Sequence, residues 1–508
     1  MLLNDVILTM KNLISFICVI FIITGCAVTK NFTPAKKYSP QQLQADYALF
    51  QNILEDLHPG LYWYTSKDSM DLYFKKGSIM LRDSLTETGF RTVLSYVISK
   101  LGCGHTAVRP SKQFARYRDK KDSFSNHQFP LLIKFWKDTA IVTFNLNRKD
   151  SLITRGSVVT TIDNKPIQEI IDSLFQFLPT DGYNLTHKYQ TLSNRGTFSN
   201  LYLSVFGYQS SFRINYLDSG GVNKTSVATI FKPAKDSVAR IGEMSPATKK
   251  LPRKERKKSQ LLAARSMRID TSLQTAFMDV NTFLKSGRLR RFFKRSFQNL
   301  QKNNTSNLVI DLRGNGGGSV TNSNLLTKYI ADHRFKIADS LYALKKTSQY
   351  GRYQKNHFSN SLFMFLMTKK ERDGYYHFNY FEGKYYKPKA KNHFNGNVYI
   401  LTGGNSFSAS TLFAQAVREQ KNVFIVGEET GGGAYGNNAW LIPDVTLPVT
   451  KVRFRLPLFR LVIDKNELKG YGVQPEITVF PTVDAIRKNI DFKTEKAVEL
   501  IKVHASRN

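Results

Sequence analysis

An α/β core behind a helical N-terminal part and a β-rich module is the fold that this sequence predicts. Three observations predict it. Apolar residues recur at helical spacing through the first hundred residues after an apolar leader. From about Phe129 to Phe231 the pattern changes to short apolar runs separated by turn residues, the signature of strands. From about Ile269 strand runs and helical runs alternate, which is the pattern of an α/β unit.

The chain opens on a leader. Met10-Lys11 precedes an apolar run from Leu13 to Ile23, followed by Thr24-Gly25-Cys26. A basic start with about a dozen apolar residues fits a signal peptide and is too short for an ordinary membrane span. Ile23-Thr24-Gly25-Cys26 is similar to a bacterial lipobox, which implies a signal peptide over 1–26, an acylated Cys26 and a short tether over 27–38. Ser39-Pro40 then starts a helix by cap and first-turn chemistry, with Leu43, Tyr47, Phe50, Leu54 and Leu57 on one face. A second helix is predicted from about Thr88 to Leu101, ending in Gly102-Cys103-Gly104-His105-Thr106. These elements make residues 39–126 a helical part.

Residues 127–232 read as a β module. Leu131-Leu132-Ile133 and Ala140-Ile141-Val142 are strand runs, and Gly156 to Ile167 is a strand, a turn and a strand before a helix. Residues 233–268, with Lys249-Lys250 and Arg253 to Lys258, read as a basic, exposed linker. A core over 269–500 follows. Residues 335–395 are rich in Tyr, Phe and Lys and carry no legible motif.

Two segments of the core carry chemistry. Leu308-Val309-Ile310 is a buried-strand run ending in Asp311-Leu312-Arg313-Gly314-Asn315-Gly316-Gly317-Gly318, where glycines let backbone N–H groups approach a ligand closely. Val398 to Leu401 is a second strand run. It leads through Gly403-Gly404-Asn405 to Ser406, Ser408 and Ser410 at the start of a helix. A serine at a helix N-terminus is either a cap or a nucleophile placed beside free N–H groups and the positive end of the helix dipole.

Together these segments resemble the C-terminal processing peptidases, or tail-specific proteases, and their tricorn-core relatives. The resemblance implies a ClpP/crotonase-like α/β core, with the β module similar to a PDZ domain through Gly156-Ser157-Val158-Val159 to Pro166-Ile167. It implies Ser408, in Ser408-Ala409-Ser410-Thr411, as nucleophile; Thr411 stands where the family carries an acid. It implies an oxyanion hole from Gly316, Gly317 and the Ala409 N–H. The tail-specific branch takes its base from a lysine whose place here is Gly433, and Thr430 to Trp440 contains no lysine. The His-dependent branch instead implies His105 as base, although Gly104 replaces the serine that tricorn enzymes place before it. The acid orienting that imidazole precedes a segment matched by Gly470 to Pro475, so Glu467 is expected there, with Asp464 as the alternative.

Composition bounds the partners. The 74 Lys and Arg outnumber 39 Asp and Glu, a net charge of +35. Such a surface suits polyanions, but no nucleic-acid module is legible and the leader places the chain outside the cytoplasm. Nucleic acid is therefore not expected. Three cysteines, two of them in the leader, exclude a disulfide framework, and neither a metal site nor a cofactor is expected. The expectation is an extracytoplasmic serine endopeptidase, lipid-anchored to a bacterial membrane and acting on peptides or unfolded proteins. The alternatives are a catalytically inactive, PDZ-like peptide-binding lipoprotein and a Ser–Lys type enzyme.

Overall fold

The computed structural model describes residues 32–118, 127–148, 150–232 and 252–506. The leader, the lipobox with Cys26 and most of the basic linker lie outside the described residues. The helical part begins with α1 (Pro40–Leu57), whose Ser39 cap accepts from the Gln42 N–H while the Gln42 side chain accepts from the Ser39 N–H. Helix α2 (Glu87–Ser99) buries Phe90, Val93, Leu94, Val97 and Ile98 and delivers the chain to the His105 turn.

The β module contains β1 (Leu131–Trp136), β2 (Thr139–Asn145), β3 (Val158–Ile162), α3 (Ile167–Phe175), α4 (Leu185–Ser193), α5 (Thr197–Phe206), β4 (Ser211–Leu217) and β5 (Asn223–Thr229). These five strands pair antiparallel in chain order, and a sixth, short strand, Lys165–Pro166, pairs back on β3. Asp163 and Asn164 make the β3 turn with φ of 49° and 63°, a conformation that Asn and Asp tolerate best among residues with a Cβ. The module has its own apolar core, centred on Phe129, Phe135, Phe198 and Phe212.

The expected linker differs from the structure. Residues Arg253–Ala264 form a helix with no buried residue, and the core sheet starts at Arg265, four residues before the predicted boundary. That sheet comprises β6 (Arg265–Asp270), β7 (Thr275–Val280), β8 (Asn307–Asp311), β9 (Asn397–Thr402), β10 (Val423–Gly427) and β11 (Ile477–Thr478), in that spatial order. The first pair is antiparallel and the other four are parallel. Helices α6 (Leu289–Lys302), α7 (Val320–Ile330) and α9 (Ala409–Val417) connect its strands; α8 (His357–Met367) lies in the long excursion between α7 and β9.

Strand alternation decides what covers each face. Ala276, Met278, Leu308, Ile310, Val398 and Ile400 join the helices α6, α7 and α9 in one core. Phe277, Val309, Tyr399 and Leu401 point the other way, against Ala497 and Ile501 of the final helix, α10 (Phe492–Ala505). Parallel pairing of β8 with β9, Asp311 opposite Leu401, brings both strand ends out at the same edge. The two motif segments are therefore neighbours.

Candidate active site

Interlocking hydrogen bonds hold the two strand-end loops together. The Leu312 N–H donates to the Leu401 carbonyl and the Phe407 N–H to Asn315. The Ser406 hydroxyl donates to Leu312 and the Ser410 hydroxyl to Asn315, each at 2.8 Å. Asp311 accepts from the Arg313 N–H and, at 2.5 Å, from its guanidinium, which also reaches Asp491 at 2.5 Å. The D-x-R pair thus fixes the turn. Ser406 and Ser410 act as structural donors, which leaves Ser408 as the one serine of the three whose hydroxyl has no partner among the described residues.

Ser408 sits on an elbow. Its φ of 56° and ψ of −117° lie outside the usual regions for a residue with a Cβ, immediately before α9. The close neighbour that allows this is Gly317. With φ of 93°, a Cβ there would lie 2.8 Å from the Ser408 Cβ and 3.0 Å from the Ala409 nitrogen. Gly317 cannot also serve as a donor, contrary to the sequence expectation: its N–H donates to Asn315 Oδ1 at 2.9 Å. Among the described residues the N–H groups of Gly316, Gly318 and Ala409 have no protein acceptor. Gly318 and Ser408 both border a cavity of about 400 Å³, walled by Phe381, Leu412, Trp440, Leu441 and Ile442. Phe381 belongs to the motif-free stretch 335–395, which thus contributes one side chain to the wall of this cavity. Thr411, in the position where an acid was expected, donates to the Ser406 carbonyl at 3.3 Å.

His105 reaches the site from the helical part. Its ring lies against Phe407, the residue before Ser408, with centroids 4.6 Å apart. Gly104 makes this contact possible, because a Cβ there would fall 2.7 Å from the Phe407 ring. A serine before the histidine would collide with that ring. His105 is only 5% exposed, and neither ring nitrogen has a hydrogen-bond partner among the described residues. Buried polar atoms of this kind are rare and are typical of sites awaiting a partner. His58, one helix away, is fully engaged instead. Its Nδ1 accepts from the Gly60 N–H and its Nε2–H donates to Thr106 Oγ1 at 2.8 Å. Burial, reinforced by Arg460, pushes His58 down to about 3, so it stays neutral. Cys103 beside it is buried, with its thiol pushed up to about 11 by burial, and is a packing residue.

The acid is where the structure departs most from the sequence reading. Glu467 accepts from Gln415 Nε2 at 2.9 Å and pairs with the Arg418 guanidinium. Gln415 lies seven residues along α9 from Ser408, about 10 Å by helical rise, so Glu467 is tied to the wrong part of that helix to orient His105. Asp464 accepts from the Asn466 N–H in its own turn. The carboxylate beside His105 is Asp181, with Oδ1 3.9 Å from Nδ1. Asp181 is 1% exposed and is held by the Gly104 N–H at 2.8 Å and the Gly433 N–H at 3.3 Å. Gly433 is the place where the tail-specific branch would carry its lysine.

Asp181 comes from the α3–α4 loop of the β module, Leu178 to Asn184. That loop knits three distant segments together. The Gly182 N–H donates to Gly102, the Tyr183 N–H to Gly470, and Asn184 Nδ2 to the Thr430 carbonyl at 2.7 Å. The loop Gly427-Glu428-Glu429-Thr430 that follows β10 is in turn zipped to the Gly470–Pro475 segment. Glu429 accepts from the Gly472 N–H at 2.7 Å and Thr430 Oγ1 from the Val473 N–H at 2.9 Å. No local pattern marks Asp181, which lies 76 residues beyond His105; its only sequence signal is an Asp-Gly turn inside a polar loop.

Residues 274–479, from β7 to just beyond β11, match the family described as peptidase family S41. Over these residues the chain is similar to peptidase family S41. Its core is that of a serine peptidase, with both glycine motifs and Ser408 inside the matched span. Among solved structures, mature CPAF superposes with a TM-score of 0.61 at 14% identity, covering 91% of this chain and 96% of that one. A serine-to-alanine mutant of CPAF gives 0.62 at 13% identity, over 91% and 97%. At such identities the likeness is one of fold. It extends well beyond the S41 core, through the helical part and the β module. No curated protein sequence matches the chain.

Proposed function

We propose that this S41 peptidase is a lipid-anchored, extracytoplasmic endopeptidase working through a Ser408–His105–Asp181 triad. The observation that carries the proposal is a buried imidazole with two unpartnered nitrogens, packed on Phe407 beside Ser408 and facing one carboxylate. Asp181 faces Nδ1, which favours the tautomer with the proton on Nδ1 and leaves Nε2 to accept the Ser408 proton. The Ser408 Oγ then attacks the scissile carbonyl carbon, and the negative oxygen is received by the free N–H groups of Ala409 and Gly318, with Gly316 in reserve. The imidazolium passes its proton to the leaving amine, and water, activated by the same ring, releases the acyl group. The apolar cavity beside Ser408 suits an apolar substrate side chain.

The β module supports this chemistry through its loop. A PDZ-like role in holding peptide ends by strand addition has less support, since the Phe135 and Phe129 N–H groups at the β1 side are already taken by Ser193 and Ser199. The anchor rests on the Ile23 to Cys26 motif, and Cys26→Ala is expected to abolish acyl labelling. A fluorophosphonate probe tests the active serine. It should label the parent chain and not Ser408→Ala; an unlabelled parent would support the inactive, peptide-binding reading instead.

A further inference from the structure

Helix α8 presents its apolar side to solvent. Phe358, Leu362, Phe365 and Leu366 fall at i, i+4, i+7 and i+8, one face of a helix, and Phe358 and Phe365 are 81% and 71% exposed. The opposite side is apolar too: Met364 is buried, and Phe363 packs on Phe378 and Phe459. From Leu362 to Met367 the helix is apolar all round, a composition that belongs inside a protein or a membrane, and here only part of it is covered. Lysines rim the open half. Lys346 lies over the Phe365 and Tyr376 rings, and Lys355, Lys369 and Lys370 are exposed at the two ends of the helix. The nearby acids are engaged elsewhere, Glu371 with Asn379 and Asp373 with His377.

We infer that this face of α8 docks on an anionic lipid surface. Large apolar side chains projecting from a short helix with a lysine rim are the composition of an interfacial anchor. A second copy of a chain carrying a net charge of +35 would meet like charge at the same rim, whereas anionic headgroups complement it. The surface adjoins the site. Phe363 touches Phe378, Phe378 touches Phe381 and Trp440, and the last two wall the Ser408 cavity. Docking through α8 would set that cavity close to the bilayer and favour substrates held at the membrane. The inference stands apart from the triad and from the acyl anchor.

The test uses the full chain carrying Cys26→Ala, so that no acyl chain contributes, with and without Phe358→Gln, Phe365→Gln and Leu366→Gln. Partition onto sucrose-loaded vesicles of phosphatidylcholine and phosphatidylglycerol (~3:1) is measured by sedimentation. Both proteins share residues 1–25, so any leader contribution cancels in the ratio. The triple variant should partition about a thousandfold more weakly, since roughly tenfold is lost for each of the three apolar side chains withdrawn from the interface. Lys369→Gln with Lys370→Gln should weaken binding less, and only on vesicles with the anionic lipid at low salt. In the chain with Phe365→Trp alone, brominated lipid should quench added tryptophan emission, a reading independent of the triple variant's folding. Unchanged partition, or no added quenching, overturns the inference. So does a triple variant that binds vesicles as before but turns a dimer into a monomer, which would give the face to a second copy.

Discussion

Two loops bring a buried or half-buried carboxylate towards the Ser408 helix, and they treat it in opposite ways. The Gly470 side offers Glu467, whose charge is met by the Arg418 guanidinium and whose oxygen also accepts from Gln415. The β-module loop offers Asp181, which accepts only from the Gly104 and Gly433 backbone N–H groups and from no permanent cation among the described residues. An ion-paired carboxylate has its field cancelled locally. One held by amides is fixed in place yet remains able to stabilise an imidazolium that forms next to it. Glu467 thus ties the Gly470 side to α9, and Asp181 is the carboxylate that lies beside His105.

The largest effect that could break this comparison is at the base. His105→Ala should lose roughly as much peptidase activity as Ser408→Ala, on the order of 10⁴-fold or more, because members of one catalytic unit fail together. A folded His105→Ala that cleaves an unstructured protein at near parental rate would remove His105 and Asp181 from the chemistry at once. Asp181→Asn comes next, with kcat falling by about 10²- to 10⁴-fold and KM little changed, since the backbone contacts survive while the charge is lost. Glu467→Gln sharpens the contrast. It should lower kcat by less than about tenfold and reduce thermal stability through the loss of the Arg418 pair. If its kcat fell as far as that of Asp181→Asn, the assignment of the two carboxylates would be reversed.

The smallest effect concerns His58, which braces Thr106 next to His105. In the unfolded chain His58 takes up a proton as pH falls below its ordinary value of 6.5, whereas in the folded chain it does so only near 3. Acid therefore favours the unfolded state. Its contribution is complete above pH 6.5 and is lost progressively towards pH 3, at a slope of roughly 1.4 kcal/mol per pH unit. Melting curves between pH 7 and 4 should show a shallower decline for His58→Asn than for the parent; parallel curves would show that this histidine is not held neutral.

The legible parts of this protein were those whose signal is local. Strand runs ending in glycines, the serines before a helix and the Ser39-Pro40 helix start each occupy a few consecutive residues, because strand burial, close backbone approach and helix capping act over a few residues. His105 was legible only through family resemblance. Tertiary structure decided the rest. The parallel register of β8 and β9 sets Gly317 against Ser408, and the α3–α4 loop carries Asp181 across 76 residues of sequence to His105. The same holds for Phe381, which a motif-free stretch brings to the cavity wall. Which carboxylate meets an imidazole depends on where backbone amides converge in space, as those of Gly104 and Gly433 do on Asp181. No spacing along the chain encodes that convergence, so the sequence by itself determined the two strand ends and the serine beside them, and folding chose the carboxylate that lies beside His105.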